Sequence, residues 1–130
     1  MSKVLIDTCA WVDFLRSKQG VLGDYVATAI ERDQALLCGA VISELLQGAK
    51  GKKERQQLEL LISGIEIVET TNNDWINAGL CLQDLRQKGI TLPVTDALIA
   101  TIAIRLSVPV MTIDKHFEYL SVVVVNPLKK

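Results

Sequence analysis

Four acidic residues stand where a plain surface role is hard to sustain. Asp7 closes the short run "KVLID", and Glu44 lies inside "VISELLQGA" among Val41, Ile42, Leu45 and Leu46. Asp96 fronts "VTDALIATIAI", a stretch that is otherwise apolar apart from two threonines, and Asp114 follows "PVMTI". A carboxylate at the border of buried structure needs hydrogen bonds, a positive partner or a metal. Each acid taken alone has an ordinary explanation. Asp7 could cap a helix beginning near Thr8, and Asp96 could answer a helix dipole. Glu44 could pair with a lysine between positions 50 and 53, and Asp114 could be a turn residue ahead of "KHFEYL". Joint placement is what points to chemistry. If the four converge, each like-charge pair about 4 Å apart costs ~4 kcal/mol at an effective dielectric of about 20. A domain stabilised by only ~5–15 kcal/mol cannot carry several such pairs uncompensated. Protonation or a lysine would relieve them. A hard divalent cation does so best, since carboxylate oxygen and water suit magnesium or manganese. A site of that kind, open to water, fits phosphodiester cleavage by a water that the metal activates.

The elements that must position these acids follow from periodicity. Short apolar runs at 3–7, 35–39, 65–69, 109–113 and 122–125 read as strands. Between them, helical patterns occupy 9–16, 22–33, 41–49, 52–64, 72–89 and 93–107. In the segment 72–89, Asn72 and Asn73 offer caps for the front of the long helix and Gly89 its stop, while Gly48 or Gly51 could end the third helix. Strands spaced by helices predict right-handed crossovers and a mostly parallel sheet covered on both faces, a three-layer α/β/α domain spanning 1–130. Ligands of such sheets bind at the carboxyl ends of the strands. Asp7 and Asp114 would then emerge on one edge.

Composition agrees. The chain has 130 residues, 49% of them hydrophobic and only 5% aromatic, which gives an aliphatic core suited to a buried parallel sheet. Net charge is −1, from 14 basic and 15 acidic residues, so no global basic bias announces nucleic acid. A local basic patch would cancel in that sum. Cys9, Cys38 and Cys81 are widely spaced, and His116 is the single histidine, so a zinc site is not expected. The thiols read as buried and reduced, in a cytoplasmic protein. Neither a signal peptide nor an apolar run long enough to span a bilayer is expected.

With "VLIDTCAWVDFL", "ISELLQGA", "VTDALIATIAI" and "VMTIDKHFEYL" in this order, the chain resembles the PIN domain family, and within it the VapC-type toxin ribonucleases. The resemblance covers nearly the whole chain. It implies a PIN-like fold, a magnesium-dependent endoribonuclease, a small neutralising antitoxin of the VapB type, and a homodimer. It maps the family's acids onto Asp7, Glu44, Asp96 and Asp114, all four expected around the metal. Asp7 and Asp96 are expected as direct ligands of Mg2+ or Mn2+. Glu44 and Asp114 are expected to orient water or support the ligands, with Thr8 and Thr112 positioning carboxylates through their hydroxyls.

An RNA substrate needs cationic surface. Lys50, Lys52, Lys53 and Arg55 directly follow the Glu44 helix, with Arg86 and Lys88 as a weaker second patch. Trp11 and Trp75 could stack on bases, though core packing is the expectation. Trp11, Phe14 and Leu15 could also line a groove for the antitoxin. His116 reads as a surface residue. A competing class is the magnesium-binding receiver domain of signalling proteins. It wants two adjacent acids after the first strand, where this chain offers Asp7 alone.

Overall fold

In the computed structural model, which describes residues 2–16 and 20–129, β1 is Val4–Ile6 and leads through Asp7 into α1, Thr8–Arg16. The chain continues with α2 (Val21–Glu31), β2 (Ala35–Cys38), α3 (Gly39–Gln47), α4 (Gly51–Gly64) and β3 (Glu66–Val68). It then forms α5 (Asn72–Gln87), α6 (Val94–Leu106), β4 (Val110–Met111), a short 3-10 helix (Lys115–Tyr119) and β5 (Val124–Val125). The 3-10 helix has no counterpart among the segments that periodicity predicts.

All neighbouring strands are parallel, in the order β3-β2-β1-β4-β5. This is the three-layer α/β/α arrangement expected. Burial follows strand position. β1, β2 and β4 in the middle are buried at every residue, whereas the edge strands β3 and β5 are mostly exposed. That is why the central strands read as unbroken apolar runs. From β1 the chain moves outward to β2 and β3, then returns to place β4 on the other side of β1. The carboxyl ends of β1 and β4 therefore flank the point where strand order reverses, the usual crevice of an open parallel sheet. A receiver domain has the order 2-1-3-4-5, so this topology excludes that class.

Helix ends explain why α6 starts at the crevice. A capping box opens α5: the Thr71 hydroxyl accepts from the Asp74 amide, and the Asp74 carboxylate accepts from the Thr71 amide. Gly89, at φ +81°, turns the chain after α5 as only glycine does without cost. α6 then packs antiparallel on α5, its end tied back to the start of α5 by Arg105 and Asp74 at 2.9 Å. α6 is buried from Asp96 through Ala100 and again at Ile102 and Ala103. α3 touches both α1 and α6, which brings Glu44 toward the same edge.

Trp11 is fully buried. Its indole N–H donates to the Ile6 carbonyl at 3.1 Å, and its ring meets Phe14 edge-on at 6.2 Å. It therefore belongs to the chain's own core and forms no part of a partner groove. Trp75 departs from expectation in the other direction: it is 52% exposed on α5. Nothing in the pattern "NNDWINAGL" marks that face, because α5 has only a narrow buried stripe at Asp74, Ala78 and Leu85. Of the cysteines, all free, only Cys38 is buried, while Cys9 and Cys81 are half-buried. Among the described residues no helix is long and apolar enough to cross a membrane.

Candidate active site

Asp7 is the residue between β1 and α1, and only 4% of it is exposed. Its Oδ1 accepts from the Thr8 amide at 2.8 Å, and its Oδ2 accepts from the Thr112 hydroxyl at 2.8 Å. Ordinary capping would direct the carboxylate to amides one or two residues further along. Here it is turned across the crevice toward β4 instead.

From Asp7 an unbroken chain of hydrogen bonds runs through all four acids. On one side, the Thr8 hydroxyl donates to Glu44 Oε1 at 2.8 Å. On the other, Thr112 Oγ1 accepts from the Asp114 amide at 3.0 Å. Asp114 Oδ1 in turn accepts from the His116 amide at 2.9 Å, capping the 3-10 helix. The His116 ring completes the chain, with Nδ1 2.7 Å from Asp96 Oδ2 and 3.5 Å from Asp114 Oδ1. Thr8 and Thr112 each hold a carboxylate through the hydroxyl. The alternative pairing of Glu44 with a lysine between positions 50 and 53 does not occur, and Asp114 is both turn residue and network member. Gly39 and Ala40 extend α3 backwards from the expected start, so that α3 follows β2 directly and carries Glu44 into reach of Thr8.

Electrostatics mark the cluster as incomplete. Burial pushes the Asp7 carboxyl above its ordinary value, against the hydrogen bonds from Thr112 and Thr8, and the Asp96 charge adds to the rise. Burial likewise pushes Asp96 up; its bond to His116 opposes this, and the charges of Asp114 and Glu44 reinforce it. The bond to Asp96 holds the imidazole of His116 above its usual value. Among the described residues no lysine or arginine pairs with any of the four acids.

The donor set fits a hard divalent cation. Asp7 Oδ1 is engaged by the Thr8 amide, and Oδ2 by the Thr112 hydroxyl with a longer bond from the Cys9 thiol, which leaves lone-pair capacity for a cation. Ligand atoms of Asp96, Asp114 and His116 all lie within 4.8 Å of one another. Oxygen donors crowded together without a balancing guanidinium or ammonium are what Mg2+ or Mn2+ requires. Cys9 is no nucleophile: burial pushes its thiol up, and Sγ sits 3.6 Å from Asp7 Oδ2 and 3.5 Å from Thr112 Oγ1.

His116 and Cys9 are the site residues that sequence reasoning undervalued. A signal for His116 did exist. An aspartate two residues before it, at a strand end, accepts the histidine's own amide and so fixes where the ring projects. For Cys9 no signal was available beyond its nearness to Asp7.

A profile of the PIN domain matches residues 4–122. The chain belongs to the PIN domain family. Ribonuclease VapC11 of Mycobacterium tuberculosis is 27% identical to this PIN domain over 122 residues, which cover 91% of each chain. Among solved structures, VapBC2 from Rickettsia felis, bound to a DNA fragment from its promoter, superimposes with a TM-score of 0.79 at 20% identity, covering 95% of this chain and 97% of that one. VapC20 of M. tuberculosis, described as a sarcin-ricin loop cleaving toxin, gives 0.74 at 15% identity over 96% and 100%. These structural likenesses establish the shared PIN fold.

Proposed function

We propose that this PIN domain is a metal-dependent endoribonuclease, the toxin of a toxin–antitoxin pair acting in the cytoplasm. The observation that carries the reading is the hydrogen-bonded chain of four carboxylates, free of lysine and arginine, at the strand-order reversal. The relative named as a ribonuclease supports RNA as the substrate.

Asp7 and Asp96 are the principal ligands, with Glu44 and Asp114 completing the set. Thr112 and the Thr8 amide hold the Asp7 carboxylate in one orientation, which limits the reorganisation needed when a cation arrives. Glu44, tied through one oxygen, keeps the other free to orient a water. A bound Mg2+ or Mn2+ supplies Lewis acidity, activating a water and offsetting charge on the phosphoryl oxygens. Lys50, Lys52, Lys53 and Arg55 guide the RNA backbone. Lys50 shares with Glu44 and Arg16 a groove of about 370 Å³ between α1, α3 and α4. Lys52, Lys53 and Arg55 lie exposed on the first turns of α4, with Arg55 3.2 Å from Glu59.

The same groove, lined by Val12, Leu15 and Leu58, is the seat assigned to a VapB-like antitoxin segment. A basic side chain of that partner, inserted among the acids, would silence the site. Exposed apolar residues such as Trp75, Ile76 and Leu80 on α5 favour a homodimer.

Incubation of the purified chain with RNA tests the reading. Cleavage should require Mg2+ or Mn2+ and stop with a chelator. It should also be lost in Asp7→Asn and Asp96→Asn. Chelator-resistant cleavage, or wild-type rates in either variant, would remove the acids from the mechanism.

A further inference from the structure

The four acids leave His116 without a stated task, although its ring faces two of them at once. Its Nδ1 lies 2.7 Å from Asp96 Oδ2 and 3.5 Å from Asp114 Oδ1. A single N–H donor serves one acceptor well, and here the same nitrogen is aimed between two carboxylates. Main-chain bonding helps to set the ring's position. The His116 amide is bonded to Asp114, and the 3-10 helix beginning at Lys115 fixes the direction in which the side chain leaves. The ring remains half-exposed, so a hydrated ion can reach it.

Donor spacing fits a shared ion. Two neighbouring ligands of an octahedral ion with bonds of about 2.1 Å stand about 3 Å apart. The observed 2.7 and 3.5 Å bracket that edge, and the three ligand atoms stay within 4.8 Å of one another. Resting on the cation reading above, we infer that His116 is a nitrogen ligand of the ion held by Asp96 and Asp114, that the ion displaces the Nδ1 proton to solvent and binds there with the remaining proton on Nε2, and that this makes the site select Mn2+ over Mg2+. The chemistry is that of ligand softness. Carboxylate and water accept either ion, whereas imidazole favours the transition metal and gives little to magnesium. The ring adds no negative charge, so it changes which ion is preferred more than how much charge is offset.

The rival role is a clamp. If His116 only orients Asp96 by donating a hydrogen bond, its loss should weaken both ions alike. His116→Asn separates the two roles, because an amide N–H can still donate to Asp96 but offers no imidazole nitrogen. Titration of the intact protein with Mn2+, followed by loss of the free-ion electron paramagnetic resonance signal, gives the Mn2+ affinity. Competition with Mg2+ gives the second affinity. We expect His116→Asn to lower Mn2+ affinity about tenfold or more and leave Mg2+ affinity within about twofold, converting selectivity into near-indifference. Pulsed measurements on the Mn2+-loaded wild type should show a histidine nitrogen coupling that changes on 15N-histidine labelling and is absent in His116→Asn. Circular dichroism establishes that the variant is folded.

Equal weakening of both ions, or a Mn2+-loaded wild type without nitrogen coupling, would overturn the assignment. Mn2+ binding that is lost in Asp96→Asn, yet shows no nitrogen coupling, would sink His116 as a ligand while sparing the cation reading. Failure of the wild type to bind either ion would sink both.

Discussion

A buried carboxylate lies at each end of helix α6, Asp74 of α5 at its close and its own Asp96 at its opening, and the two are treated in opposite ways. At its close, Arg105 reaches Asp74 with Nε and a second nitrogen at 2.9 Å and 2.9 Å. Asp74 is 1% exposed and also accepts the Thr71 amide. The guanidinium holds its carboxyl below the ordinary value. At the opening of the same helix, about 14 Å away at 1.5 Å per residue, Asp96 is 7% exposed and bonded only to His116. Burial there pushes the carboxyl up, as it does for Asp7. One acid carries its own cation and serves the fold. Asp96 shares an imidazole with Asp114, Asp7 has only neutral donors, and both remain short of positive charge. Burial alone therefore does not separate the two kinds of acid; the presence or absence of a resident cation does.

Neutralising the two kinds should break this contrast most visibly. Asp7→Asn and Asp96→Asn should each cost about 10³-fold or more in metal-dependent RNA cleavage, the scale of several kcal/mol of metal-assisted stabilisation. Folding stability should be equal or higher by on the order of 1 kcal/mol. At position 7 an amide can still accept from the Thr8 N–H and donate to Thr112 Oγ1, so the local network survives. Cleavage assays paired with denaturant unfolding check both halves.

Asp74→Ala should do the reverse. We expect a stability loss of about 2 kcal/mol from the broken pair and cap, below the ~3–5 kcal/mol of a fully buried pair because the Arg105 side chain is 38% exposed. Activity per folded molecule should be unchanged. A large activity loss at full stability would erase the distinction between the two ends.

Acid sharpens it further. Asp74 has a lowered folded pKa, so its contribution is present above the ordinary carboxylate value of about 3.9 and fades as pH falls through the folded value. Asp7 and Asp96 have raised folded values, so without metal their protonated forms favour folding. That advantage is complete below about 3.9 and lost as pH rises through the raised values. The stability gained by Asp7→Asn should therefore grow as pH rises across that window, as unfolding at a series of pH values in chelator would show.

Smaller effects concern support. Thr112→Val removes the hydroxyl that orients Asp7 and should cost about 10–100-fold in activity or metal affinity. Serine at Lys50, Lys52, Lys53 and Arg55 should flatten the salt dependence of RNA binding while leaving metal binding intact. An unchanged slope would return that stretch to plain solvated surface.

What the sequence made legible was whatever local patterns determine. The strands and helices lie within about two residues of where periodicity places them, and the parallel sheet follows from their alternation. Asp7 and Asp114 could be located because strand ends are visible in the apolar runs. Glu44 and Asp96 could be located because an acid interrupts an apolar face. Pairings between distant segments were not legible. Arg105 finds Asp74 across α5 and α6, and His116 finds Asp96 through a 3-10 turn, at separations no period encodes. Trp11 is buried as expected and Trp75 is not, for the same reason. Residue type argues that tryptophan is buried, but only the packed helices decide which one is.

Thermal melting with and without divalent cation tests the central contrast most directly. Saturating Mg2+ or Mn2+ should raise the melting temperature of the wild type and of Asp74→Ala by a similar amount, roughly 10 °C at a hundredfold excess over Kd. Asp7→Asn should show little or none of that rise. No shift in the wild type, or the same shift in Asp7→Asn, would mean that the unpaired acids at the carboxyl edge of β1 and β4 are not a cation site.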